Sequence, residues 1–146
     1  FISSTFWTER IGFVAANTTL EIFEKKRPWK ILCENGKYLN YQWNKIAKKN
    51  NLKINISGYE AITSFSFTSE LNQYFKTFIT QELLRKKFLA SNQIYLTIHH
   101  TKKIIDKYMK HLDKIFKDIS SIKNKKQIQK KLVSKISHSS FKRLND

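Results

Sequence analysis

The feature that most constrains the fold is a change of hydrophobic period in the middle of the chain. Over residues 52–57 and 61–67, apolar and polar side chains alternate, which is the pattern of half-buried β-strands. A third alternating run covers residues 93–99, and Gly58 is expected to separate the first two. The flanking segments repeat apolar residues every three or four positions, as helices do. This arrangement predicts an α+β fold, with helices on one face of a small, mainly antiparallel sheet.

Four main helices are predicted around these strands. The first begins near Ile11 and ends at the basic run KKRP, where Pro28 breaks the helix or starts the next one. The others are predicted over residues 29–49, 71–88 and 101–119. We expect Gly36, in the apolar stripe of the second helix, to mark a close contact with another helix. The later run KKQIQKKLVSKI predicts a short amphipathic helix within a basic tail.

The net charge of +17 is compatible with two interpretations. One is a nucleic-acid or anionic-surface binding module whose contacts lie in the basic tail. The other is a solvated, lysine-rich surface, because 24 of the 28 basic residues are lysine and the chain is also rich in Ile and Asn. Specific recognition of phosphates and bases favours arginine. We therefore favour the second interpretation and expect no nucleic-acid partner.

Cysteine usage and apolar run lengths constrain the location of the protein. The single cysteine, Cys33, excludes an internal disulfide framework and indicates a reducing compartment, so we expect a cytoplasmic protein. No run approaches the ~18 apolar residues of a membrane span, so no membrane partner is expected.

The chain offers no self-contained catalytic or metal-binding set. His99 and His100 are adjacent and would point to opposite faces of a strand. Three glycines in all are too few for a glycine-rich phosphate loop, and no Cys or His spacing matches a metal site. We therefore predict no catalytic residue and no metal ligand in this chain.

The opening turn, SSTFWTER, places several hydroxyl groups immediately before the first helix. Hydroxyls and free backbone N–H groups at a helix start can hold a phosphate. The alternative is ordinary capping of the helix by Thr5 or Thr8.

Five blocks of the sequence, in order, resemble class III aminotransferases close to glutamate-1-semialdehyde aminomutases. They are FISSTFWTERIGFVAANTTLE, GKYLNYQWNKIAKKNNLKINISGYEAITSFSF, FITQELLRKKFLAS, IYLTIHHTKKIIDKYMKHLDKIF and SSFKRLN. The resemblance covers nearly the whole chain and implies the C-terminal small domain of a fold type I enzyme dependent on pyridoxal 5'-phosphate (PLP). A homodimer with shared active sites, a small-molecule amino donor and an acceptor are implied with it.

The resemblance also implies roles for residues in the opening turn. The Schiff-base lysine and the aspartate that faces the cofactor ring lie upstream in the family, so the chain is expected to begin in mid-protein and to be inactive alone. The family's phosphate-contacting threonine corresponds to Thr5, with Ser4 beside it. Trp7 and Glu9 are the expected substrate-binding residues. The family's usual glycine before the threonine is replaced by Ser4, which puts the aminomutase's substrate contacts in doubt.

The same resemblance predicts three regions. Residues 1–27 are the active-site turn and a helix connecting to the large domain, residues 28–122 are the small α+β domain, and residues 123–146 are the basic tail. The run RKKFL lacks the family's glycine after its basic residues, which predicts a strained or re-routed turn. The alternative that the composition leaves open is the stand-alone, lysine-rich binding module.

Overall fold

The structure, a computed structural model, describes residues 5–6 and 9–138. It contains three strands, β1 (Ile54–Tyr59), β2 (Ile62–Phe67) and β3 (Gln93–Tyr95). The helices are α1 (Arg10–Lys26), α2 (Pro28–Lys49), α3 (Asn72–Arg85), α4 (Lys102–Ser120) and α5 (Lys125–Lys131). The predicted fold class is confirmed: a long helix pair precedes a three-stranded antiparallel sheet, and helices pack on one face of that sheet.

The sheet has the order β1-β2-β3, and both pairings are antiparallel. The expected break at Gly58 is wrong, because β1 continues through it to Tyr59. Gly58 has a φ of 95°, and a Cβ added there would lie 2.3 Å from the carbonyl oxygen of Ile62. Glycine is therefore required within the strand, immediately before the hairpin turn, rather than as its end.

The third strand is shorter than its alternating pattern predicts. It ends at Tyr95, and the chain turns over residues 97–100. In this turn the N–H of Thr97 donates to Nδ1 of His100 at 2.8 Å, and the N–H of His100 donates to the carbonyl oxygen of Thr97 at 3.0 Å. The predicted strand over 96–99 is therefore wrong, since local hydrogen bonds replace the sheet ladder there.

The core lies between the sheet and helices α2, α3 and α4. Phe65 is at its centre, with its ring centroid 4.8 Å from that of Trp43 and 5.6 Å from that of Phe116 in edge-to-face contacts. The apolar stripe predicted for α4 is confirmed, since every member is buried: Ile105, Tyr108, Met109, Leu112, Ile115, Phe116 and Ile119.

Buried polar groups in this core have hydrogen-bond partners. The hydroxyl of Thr63, fully buried on β2, donates to Oδ1 of Asn40 at 2.7 Å. Nε1 of Trp43 donates to the hydroxyl of Tyr108 at 3.2 Å. Burial raises the pKa of that Tyr108 hydroxyl well above its usual value, and the Trp43 bond offsets only part of the rise. Tyr108 therefore stays neutral and fixes α2 against α4.

The close contact predicted at Gly36 exists, but its partner is not a helix. A Cβ added to Gly36 would lie 2.0 Å from the carbonyl oxygen of Glu60, in the turn between β1 and β2. Glycine lets the backbone of α2 meet the backbone of the hairpin directly. The backbone of α2 is therefore in direct contact with the β1–β2 turn at this position.

The turn after α3 is strained, as the missing glycine in RKKFL predicts. Lys87 has a φ of 64°, in the left-handed region that favours glycine. The N–H of Phe88 donates to the carbonyl oxygen of Leu83 at 3.0 Å, and that of Lys87 donates to Leu84 at 2.9 Å. These are the two bonds of a Schellman motif, which ends α3 at Arg85 rather than at residue 88.

Candidate functional site

The described part of the opening segment consists of Thr5 and Phe6, followed by Glu9 at the start of α1. Thr5 and Phe6 lie in a turn and are exposed, and the N–H of Glu9 donates to the carbonyl oxygen of Phe6 at 3.1 Å. Phe6 exposes 68% of its surface. Ser4 and Trp7, the other two residues assigned to the site from the sequence, lie outside the described residues.

The start of α1 has no side-chain cap among the described residues. Its N-cap residue is Glu9, with extended backbone (φ −70°, ψ 131°), and Glu9 makes no cap hydrogen bond. No acidic residue lies in the first turn, where Arg10 is exposed. Thr5 lies four positions before the N-cap, so capping by Thr5 is not what the structure shows, and Thr8 is outside the described residues. The first N–H groups of an α-helix have no partner within the helix, so they bind side chains, water or ligands.

The described residues of this segment carry groups of the types that bind phosphate. The exposed Thr5 hydroxyl, the N–H groups at the start of α1 and the charge of Arg10 are all groups that bind phosphate oxygens. Glu9, exposed and negatively charged, is suited to an amino group rather than to a phosphate. The segment therefore has donors for part of an anionic cofactor and one candidate contact for an amine.

Helix α1 itself is unusual because none of its residues is buried. At 100° per residue, Arg10, Asn17, Glu21 and Glu24 lie together on one side of the helix, while its large apolar side chains are spread over most of the circumference. The exposed members are Ile11, Phe13, Val14, Leu20, Ile22 and Phe23. An exposed apolar surface of this width usually marks a contact with other protein.

The remaining described residues supply little chemistry. Among them, no three His, Cys, Asp or Glu residues are grouped to hold a metal ion. A groove of about 340 Å³ lies between β3, α2, α4 and residues 88–90, but its lining is mainly apolar. His100 is in this lining and its ring nitrogen is engaged with Thr97. The groove therefore brings together no acid–base pair.

The basic tail packs on α3 as far as residue 138. Nε2 of Gln73 donates to the carbonyl oxygen of Ser137 at 2.7 Å, and Oε1 of Gln81 accepts the N–H of Val133 at 2.9 Å. Ile128 of α5 is fully buried. The short helix predicted from KKQIQKKLVSKI is present as α5 and is held to the body of the molecule.

Comparison with solved structures identifies a likeness in fold. A structure of the PLP internal aldimine form of the FumI protein from Sphingopyxis sp. MTA144 superposes with a TM-score of 0.71 over 88% of this chain, at 16% sequence identity. The chain has the fold of part of a PLP-containing protein. It spans 32% of the length of that neighbour, so about two thirds of the neighbour has no counterpart here.

Sequence-based comparisons add no closer relative. No protein-family model matches the chain, and no curated protein matches it.

Among the described residues, none of the helices combines the length and the hydropathy needed to cross a bilayer.

Sequence reasoning overlooked one cluster of charged residues that the structure assembles. The positive charges of Lys86, from the turn after α3, and of three lysines of α4 all act to lower the pKa of His111. The sequence could have predicted part of this cluster, because Lys107, Lys110 and Lys114 are spaced at intervals of three and four residues and therefore share one side of a helix. The proximity of Lys86 depends on the packing of α3 against α4, which no local pattern encodes.

Proposed function

We propose that this chain is the C-terminal part of a PLP-dependent enzyme of the class III aminotransferase or glutamate-1-semialdehyde aminomutase type. The observation that carries the proposal is the fold likeness to a PLP-containing protein, found over 88% of the chain despite 16% identity. The order of the five sequence blocks supports the same assignment. The reaction is transfer of an amino group on an amino acid, a semialdehyde or a keto-sugar.

The division of the chain follows from this proposal. Residues 1–27 carry the active-site turn and a helix that connects to the large domain, residues 28–122 form the small domain, and residues 123–146 are the basic tail. The exposed apolar side chains of α1 support the assignment of residues 1–27, because a large domain or a partner subunit would cover them. The enzyme is a cytoplasmic homodimer whose two active sites are shared between subunits.

The residues of this chain bind and orient rather than react. PLP, when bound, supplies an electron sink for the carbanion formed next to the amino group. Thr5 donates its hydroxyl to the cofactor phosphate of the partner subunit, with Ser4 beside it. Trp7 packs against the substrate, and Glu9 attracts its amino group. None of the 24 lysines is assigned to the cofactor aldehyde.

The role of Thr5 is tested by Thr5→Val in the full-length enzyme. The substitution keeps the shape and the backbone N–H but removes the hydroxyl. Loss of one charge-assisted hydrogen bond, worth roughly 1.5–3 kcal/mol, is expected to weaken PLP binding about ten- to a hundredfold. The matched control is Thr19→Val, because Thr19 lies in α1 and its hydroxyl bonds to the carbonyl oxygen of Ala15. That control is expected to leave the PLP dissociation constant unchanged.

Sharing of the site between subunits is tested by complementation. Subunits with Thr5→Val are mixed with subunits that lack the Schiff-base lysine, and the mixed dimer is expected to regain activity at one intact site. An unchanged PLP dissociation constant for Thr5→Val rules out the phosphate contact. A mixed dimer that regains no activity shows that the contact is made within one subunit.

A further inference from the structure

One side of α4 and the turn after α3 carry a row of exposed lysines. Lys107, Lys110 and Lys114 follow one another at intervals of three and four residues, which places them on one side of the helix. Lys86 is exposed in the turn after α3, and its charge acts on the same ring, that of His111, as the charges of the three α4 lysines do. At 1.5 Å per residue, the three α4 positions extend along about 10 Å of the helix axis. We call these four residues the lysine row.

The ring of His111 lies within the lysine row. His111 is half-buried, and its ring centroid is 5.4 Å from that of Phe88. Burial lowers the pKa of His111, and the positive charges of the four lysines of the row lower it further. His111 is therefore a neutral ring in a strongly positive environment. Nζ of Lys107 lies 6.0 Å from the Phe88 ring centroid, which holds that ammonium group beside the two rings.

No carboxylate forms an ion pair with the lysine row among the described residues. The acidic residues of α4 that make contacts face α2, where Asp113 pairs with Lys49 and Asp106 accepts the Tyr38 hydroxyl. Glu82 on α3 pairs with Arg85 instead of Lys86. Asp118 lies on the same side of α4, one helical turn beyond Lys114, and forms no ion pair with the row among the described residues. The row is thus a concentration of like charge that attracts an external anion.

We propose that the lysine row binds a linear phosphate polyanion through its backbone phosphates, without reading bases. Ammonium groups bind phosphate as point charges, whereas specific base contacts favour arginine, which the row lacks. Each of the four ammonium groups can contact one phosphate of the same strand. A line of charges along one helix suits an extended strand. This site is independent of the proposed PLP enzyme and can coexist with it.

The test is fluorescence anisotropy of a labelled single-stranded oligothymidylate with the 146-residue chain at several salt concentrations. Four phosphate contacts predict a slope of log K against log salt of about −3. The triple variant Lys107→Gln/Lys110→Gln/Lys114→Gln is expected to bind at least tenfold more weakly, with a slope of about −1.

The matched control replaces three exposed lysines of α2, with Lys37→Gln/Lys45→Gln/Lys48→Gln. It removes the same charge and is expected to keep the slope of the unmodified chain. Equal losses in the two triple variants mean that binding follows net charge alone, which overturns the proposal.

A second readout uses His111 in the unmodified chain. A bound polyanion offsets the lysine charges, so the pKa of His111, followed by NMR of its ring protons, is expected to rise at saturation. An unchanged titration contradicts binding at the row. Inorganic polyphosphate is expected to compete with the oligonucleotide, and failure to compete indicates base recognition and overturns the phosphate-backbone assignment. Binding to anionic phospholipid vesicles without binding to either phosphate chain assigns the face to a membrane surface instead.

Discussion

At the scale of single residues, two glycines of this chain have opposite environments. Gly36 lies where the backbones of α2 and the β1–β2 turn meet, and a Cβ there would be 2.0 Å from a backbone oxygen of Glu60. Gly12, on α1, has nothing within 4 Å of an added Cβ among the atoms described. Substitution by alanine at both positions therefore compares the effect of tight backbone packing, at Gly36, with the effect of helix propensity alone, at Gly12.

Gly36→Ala is expected to destabilise the chain, and Gly12→Ala is expected not to. At Gly36 the backbones must move apart, and such overpacking costs about 1–3 kcal/mol, which exceeds the helix preference for alanine of about 0.5–1 kcal/mol. At Gly12 only the preference for alanine acts, so helicity rises. Urea unfolding followed by circular dichroism measures both variants. A Gly36→Ala midpoint at or above that of the unmodified chain would contradict the contact with Glu60.

At the scale of elements, the helices differ in how fully the chain itself buries them. Helix α4 places a continuous apolar stripe in the core, whereas α1 buries no residue at all. The sequence shows the same contrast, since α4 confines its apolar residues to one side and α1 spreads them over most of its circumference. Among the described helices, α1 is the one that the described residues leave exposed along its whole length.

The 146-residue chain is expected to associate through α1. Exposed apolar surface beyond a few hundred Å² drives self-association, and α1 presents Phe13 and Leu20 at 58% and 63% exposure. The double variant Phe13→Gln/Leu20→Gln should lower the weight-average mass measured by light scattering at physiological salt. The matched control is Tyr59→Gln/Leu89→Gln, which removes two equally large exposed side chains elsewhere and should leave the mass unchanged. If the unmodified chain forms a stable monomer, the exposed surface of α1 does not drive association and the prediction is wrong.

The elements also show where sequence is sufficient for prediction. The α4 stripe and the inward face of β2 were predictable because burial and local period agree there. The end of β3 was not, because the Thr97–His100 turn depends on two side chains bonding locally in a segment that alternates like a strand. The partner of Gly36 was not predictable either, since Glu60 reaches it only after the hairpin has folded.

At the scale of the whole molecule, the chain contains one core and an incomplete candidate site. The sheet and its three packed helices form a self-consistent body, in which the described residues leave no buried side-chain polar atom without a partner. The site residues Thr5 and Glu9 are exposed at one end of the exposed helix α1. Their proposed functions depend on polypeptide beyond this body. The sequence suggested these residues only through a family resemblance, because the phosphate contact proposed for Thr5 has no local periodic signal.

The central claim, that this chain is part of a PLP enzyme and holds none of its Schiff-base chemistry, is tested most directly by mapping the cofactor lysine. The protein produced from the complete reading frame that contains this segment is loaded with PLP, reduced with borohydride, digested and analysed by mass spectrometry. We expect one stoichiometric pyridoxyllysine, located N-terminal to Phe1, and none among the 24 lysines of this chain. A stoichiometric label on any of these 24 lysines, or no stoichiometric label anywhere in the protein, would contradict the account.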